Sequence, residues 1–128
     1  MIFSFPKEER ITSKLLFDSL FTQGIGVKVY PLRFTFIVVE KPLPYHIQIA
    51  FGVSKKQFKK AVDRNKIKNQ LKNIYRTNNQ VLKQYLTKNS LNIAVFVSYN
   101  SNAIPKFDSV KEKFVEGLNQ IQSKLENH

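Results

Sequence analysis

The stretch from Lys55 to Arg76, KKQFKKAVDRNKIKNQLKNIYR, constrains this chain more than any other. Its 22 residues hold nine Lys or Arg and one acid, Asp63, and so carry +8 of the chain's net +12. Phe58, Ala61, Val62, Ile67, Leu71, Ile74 and Tyr75 recur at helical spacing, which predicts a helix over about 56–76 with one face for a core. The other face repeats Lys60, Arg64, Lys68, Lys72 and Arg76 every four residues, with Lys56 and Lys59 at the entrance. Like charges at this spacing repel one another and weaken a helix. A sequence that keeps them offers a rigid positive surface to a polyanion.

The rest of the chain supplies the body on which that helix sits. Its 128 residues suffice for one domain, and a content of 42% apolar residues with eleven Phe makes it globular. There is no cysteine, so disulfides and thiolate metal sites are excluded, in keeping with a cytoplasmic protein. The N-terminus lacks the apolar run of a secretory signal, and no segment reaches the length of a membrane span. Nucleic acid is therefore the expected partner of the charge, rather than a membrane.

Along the chain, Thr12 or Ser13 can cap a first helix with Leu15, Leu16, Phe17, Leu20 and Phe21 inward, and Gly24 is a natural stop in the left-handed conformation. Residues 25–31 read as a connector. Arg33 to Glu40 alternates as a strand, Lys41 to Tyr45 is a Pro-containing turn, and His46 to Val53 alternates again; the two strands suggest an antiparallel pair. After the basic helix, Asn78 and Asn79 break the chain before a short helix over 80–86. Leu91 to Ser98 is a third strand, Tyr99 to Pro105 a loop, and 108–125 an amphipathic final helix. Strand 46–53, the basic helix and strand 91–98 form a crossover unit joining parallel strands. The whole is an α+β, two-layer sandwich.

The residues give little support to protein-based catalysis. Among the nine acids no close pair ends a strand, and Glu8 and Glu9 read as a solvated, charge-balancing pair. His46 reads as a surface or half-buried histidine, and His128 is terminal. Without cysteine or a second internal histidine, neither a metal site nor a Cys/His nucleophile can be built. Gly24 and Gly26 are a lone pair, not a phosphate loop. Asn65 can serve the backbone or a nucleotide, since its amide both donates and accepts. Phe17 and Phe21, four apart, suit either a core or a platform for unpaired bases. Arg33, Thr35, His46, Gln48, Ala50 and Gly52 would share a small, polar sheet face beside them.

The segment Phe51-Gly-Val-Ser-Lys-Lys56, followed by Ala61-Val-Asp-Arg-Asn-Lys-Ile-Lys68, resembles the protein component of bacterial ribonuclease P, with its GxSxSKK-like strand end and Arg-Asn-Arg helix signature. The stretch Arg10-Ile11 through Phe17-Asp-Ser-Leu-Phe21 to Gly24 resembles that family's first helix, and the similarity covers about residues 8–125. Two positions depart from the pattern. Lys66 stands where the signature has its second Arg, and Lys68-Asn69 replaces Lys-Arg; Lys keeps a point charge but loses the bidentate fork.

The resemblance implies a ribosomal protein S5 domain 2-like fold with a left-handed βαβ crossover, the opposite of the usual hand. It implies a subunit of the endoribonuclease that matures tRNA 5′ ends, in which a large RNA with bound magnesium does the cutting. The protein would then hold no catalytic residue and no metal of its own. The RNA-binding set is Lys55, Lys56, Lys59, Lys60, Arg64, Asn65, Lys66, Lys68 and Lys72, facing ribonuclease P RNA. The cleft for the 5′ leader of precursor tRNA is Phe17, Phe21, Arg33, Thr35 and Gln48. The alternative is a non-enzymatic RNA-binding module of the same fold. A DNA-binding helix is disfavoured, because a strand rather than a short turn precedes the basic helix.

Overall fold

The computed structural model describes residues 7–127. A 3-10 turn, Lys7–Glu9, leads to α1 (Lys14–Gln23), β1 (Ile25–Val29), β2 (Leu32–Val38) and β3 (Ile47–Val53). Then follow α2 (Ala61–Asn78), α3 (Gln80–Lys88), β4 (Ile93–Tyr99) and α4 (Phe107–Glu126). The sheet runs β1-β2-β4-β3, antiparallel except for the β3–β4 pair. The strands alternate in sequence, so they alternate in chemistry. Val27, Phe34, Phe36, Ile49, Val95 and Val97 point to one face and are buried beneath α2 and α4. α2 contributes Ile67, Leu71, Ile74 and Tyr75 to this core, and α4 contributes Val110, Phe114, Leu118 and Ile121.

This is the two-layer α+β core that the pattern suggests. α1 adds a partial third layer on the opposite face, where Leu20 and Ala94 are buried with Ile11. The hand of the crossover follows from two bonds. Ile49 turns its side chain into the core under α2, while its carbonyl faces away from β4 and accepts the Ile11 N–H at 3.3 Å. Ile93, also core-facing, donates its N–H to the O of His46, the residue just ahead of β3, at 3.0 Å. For L-residues this places β4 to the left of β3 when the sheet is seen from α2 with both strands running up. The crossover is therefore left-handed, against the general preference.

Several expectations are corrected. Residues 25–31 are not a plain connector: Ile25–Val29 is a strand, paired with β2 from Ile25↔Phe36 to Val29↔Leu32. The strands at 32–38 and 47–53 are not partners, because β4 lies between them. Gly24 ends α1 at φ −68°, not in the left-handed region. It is needed for space, since a Cβ there would lie 2.3 Å from Leu20 O and 2.4 Å from Thr35 Cγ2. His46 precedes its strand at φ 64°, a left-handed residue whose ring Nδ1 lies 3.0 Å from Leu91 O; it is half-buried. His128 lies outside the described residues.

The basic helix starts at Ala61 rather than near Lys56. Residues 54–60 instead turn: Ser54 O accepts the N–H groups of Gln57 and Phe58, and Phe58 packs on Tyr99 with ring centroids 6.2 Å apart. The Arg64 guanidinium donates to Phe58 O at 2.7 Å and Lys59 O at 2.9 Å. Those carbonyls would otherwise accept helical bonds from four residues on.

Glu9 is the other correction. It is 1% exposed, not solvated, and accepts from the Tyr75 hydroxyl at 2.5 Å and from Lys83 Nζ at 2.7 Å. A buried carboxylate persists only when paired and hydrogen-bonded in this way. Burial beside that carboxylate pushes the Tyr75 phenol far above the usual tyrosine range, so it stays a neutral donor. The same segment bridges Arg10 to Ile49 and covers the free edge of β3. Glu8 remains exposed.

Candidate nucleic-acid interface

α1 covers only part of the outer sheet face. Leu20 and Leu16 close it over Ile37 and Ala94. The rows nearer the β1–β2 turn are left open, and the register reads them across the sheet as Gly26–Thr35–Phe96–Ala50 and Lys28–Arg33–Ser98–Gly52. The C-terminal turn of α1 lowers Phe17 and Phe21 toward these rows. Their rings stack at 6.4 Å, and each meets Phe96 edge-on, at 6.3 Å and 5.4 Å. Phe96 can lie flat enough to serve because Gly52 beside it has no side chain; a Cβ there would be 2.5 Å from Phe96 Cζ.

The two members of the phenylalanine pair differ in how far they are covered. Phe17 is half-buried, whereas Phe21 stays 63% exposed, although its ring is held by two others. An exposed, immobilised ring is what base stacking needs. Phe21, Gly26, Arg33, Thr35, Phe96 and Ser98 line a groove of about 270 Å³. Gln48 is not part of it. Its side-chain amide donates to Glu8 O at 3.3 Å, and it lines a separate groove on the other flank of α1, with Ser13, Ser19 and Val39.

Phe96 was not singled out from the sequence as a site residue. The signal was present: strand alternation sets this aromatic with Asn92, Ala94 and Ser98, on the side away from the apolar residues.

The cations fall into three sets. Arg64, Lys68, Lys72 and Arg76 share a stripe along α2, and all four are half-buried. Lys66 stands about 160° around the helix from Lys68, at 100° per residue, and with Asn65 it is exposed. Lys55, Lys56, Lys59 and Lys60 are all exposed and lie on the loop ahead of α2, not on the helix. That loop is nonetheless fixed, by the buried Phe58 beneath it and the Arg64 clamp beside it. Among the described residues, none of these cations is ion-paired, so their charge is left for an external anion. Among the same residues, no three His, Asp or Glu side chains come together to hold a metal ion, and no helix is long and apolar enough to cross a membrane.

Known proteins share the sequence pattern and the fold. Two curated ribonuclease P protein components, from two strains of Porphyromonas gingivalis, are 26% identical to this chain over 119 residues, spanning 93% of it and 87% of theirs. A Staphylococcus aureus RNase P protein, solved as a mutant with defective mRNA degradation activity, superimposes with a TM-score of 0.71 at 20% identity, over 91% of this chain and 90% of that one. The RNase P protein of Thermotoga maritima gives 0.70, also at 20% identity, over 88% and 96%. These two likenesses establish the shared fold. The sequence profile of the ribonuclease P family matches residues 5–122, so the chain belongs to that family.

Proposed function

We propose that the chain is the protein subunit of a ribonucleoprotein endonuclease, binding ribonuclease P RNA and the 5′ leader of precursor tRNA in the cytoplasm. The observation that carries this reading is the outer-face cleft, where an exposed but immobilised Phe21 stands next to Arg33 and Thr35. An unpaired base stacks on the ring while the cation takes a phosphate, a sequence-tolerant way to hold a single strand. The anchored loop lysines Lys55, Lys56, Lys59 and Lys60, with Lys68 and Lys72, neutralise phosphates of the RNA subunit. Lys66 and Asn65, on the other flank, reach a different part of it. Gln48 holds the N-terminal segment in place and touches the leader only if the strand passes around α1.

In this reading the protein supplies binding and orientation. Magnesium and hydroxide belong to the RNA, whose phosphates hold the metal, and no side chain of this chain serves as nucleophile. Holding the leader raises affinity for precursor over mature tRNA and lowers the magnesium needed for cleavage, because fixed lysines offset RNA self-repulsion.

Reconstitution tests it. The protein is mixed with a bacterial ribonuclease P RNA at low magnesium and cleavage of precursor tRNA is measured. Faster cleavage than by RNA alone, with tighter binding of precursor than of mature tRNA, is expected. Binding without that preference would reduce the chain to a general RNA-binding module.

A further inference from the structure

The outer-face cleft continues past Arg33. At the end of the sheet, Lys28, Tyr30, Pro31, Arg33 and Asn100 line a second groove of about 230 Å³. It shares Arg33 with the groove beneath Phe21, so the two form one track over the β1–β2 turn. Tyr30 stands in this track 74% exposed. Its backbone is held on both sides, since Val29 pairs with Leu32 and Pro31 O accepts the Asn100 N–H at 2.8 Å. Lys28 and Arg33 are direct cross-strand partners, both exposed, and flank the ring with positive charge. Exposed Asn100 donates from Nδ2 to Ser98 Oγ at 3.1 Å and keeps its Oδ1 as an acceptor.

A large aromatic ring on a fixed turn, beside an amide oxygen and two cations that have no ion-pair partner among the described residues, has the composition of a nucleotide subsite. We infer that a single-stranded RNA leader runs beyond Arg33 and stacks a further unpaired base on Tyr30, with a backbone phosphate between Lys28 and Arg33. This rests on the leader-binding reading above and adds a second stacking point to it. A protein partner would ask for a broader apolar patch than one ring between charges.

The test uses the reconstituted holoenzyme and precursor tRNAs whose leaders lengthen one nucleotide at a time. Affinities are measured for the native protein, Tyr30→Ala and Tyr30→Phe. With the shortest leaders all three should bind equally. Beyond a threshold length the native protein and Tyr30→Phe should gain on the order of tenfold, the worth of one stacked base, and Tyr30→Ala should not. Equal binding by Tyr30→Ala at every length would overturn the subsite, as would a defect already present with the shortest leader. If the native protein shows no dependence on leader length at all, the leader-binding proposal falls with it. That failure is recognisable because it does not involve the variant.

Discussion

The two faces of the sheet are built by the same four strands, yet they carry opposite tasks. On the inner face Phe34, Ile49, Val95 and Val97 are almost wholly excluded from solvent beneath two long helices. On the outer face a single ten-residue helix covers only part of the surface, leaving Arg33 exposed and Thr35 partly so beside its own exposed Phe21. Burial makes the inner face the source of stability. Incomplete cover suits the outer face to the binding role proposed for it, because exposed aromatic area there has not already been consumed by folding. The comparison also separates the phenylalanines: Phe34 and Phe114 meet at 5.3 Å inside the core, while Phe21 and Phe96 meet at 5.4 Å at its rim. Nearly the same ring contact serves packing in one case and presentation in the other.

Substitutions should expose that difference. Phe34→Ala should cost about 3–5 kcal/mol in denaturant unfolding, the range for a buried aromatic that leaves a cavity. A loss under about 1 kcal/mol would mean that the inner face is not the main core. Next in size, Lys83→Met should cost roughly 1.5–3 kcal/mol, because Glu9 would remain buried without its charged donor. An equal loss for Lys83→Met in a Glu9→Gln background would show that contacts other than the ion pair, such as Lys83 Nζ over the Tyr45 ring at 5.4 Å, are what matter.

A smaller effect separates positioning from contact among the cations. Arg64 spends one nitrogen on the Phe58 and Lys59 carbonyls. Arg64→Gln should therefore weaken binding to the RNA subunit severalfold at every salt concentration, leaving the slope of log affinity against log salt unchanged. A slope reduced by about 0.7–0.9 would instead place the guanidinium on a phosphate. Smallest of all, Phe21→Ala should alter stability by no more than about 0.5–1 kcal/mol, since most of its ring is already in water.

Much of the inner face was legible in the sequence. Period-two alternation marked β2, β3 and β4, and the three-to-four spacing of Val110, Phe114, Leu118 and Ile121 marked α4. What was not legible depends on residues far apart in the chain. β4 enters between β2 and β3, and no local pattern announces a non-consecutive neighbour. Glu9 looks like a surface acid because its partners, Tyr75 and Lys83, are 66 and 74 positions away. β1 is short: Ile25, Val27 and Val29 alternate over only five residues, and Ile25 is itself exposed.

The site shows the same division. The charge of 55–76 was plain, but helical spacing continued by coincidence through Phe58 and concealed the turn that carries four of the lysines. Alternation set Arg33 and Thr35 on one sheet face, whereas grouping Phe17 and Phe21 with them came from the family resemblance. Separating Gln48 from them required knowing that α1 lies across the sheet between the two grooves.

The central claim is that the partly covered outer face holds the leader. The most direct measurement is the ratio of precursor to mature tRNA affinity in the reconstituted holoenzyme, for the native protein and Phe21→Ala. The ratio should fall toward one by on the order of tenfold in the variant, with mature tRNA binding unchanged. An unchanged ratio in a folded Phe21→Ala protein would contradict the account.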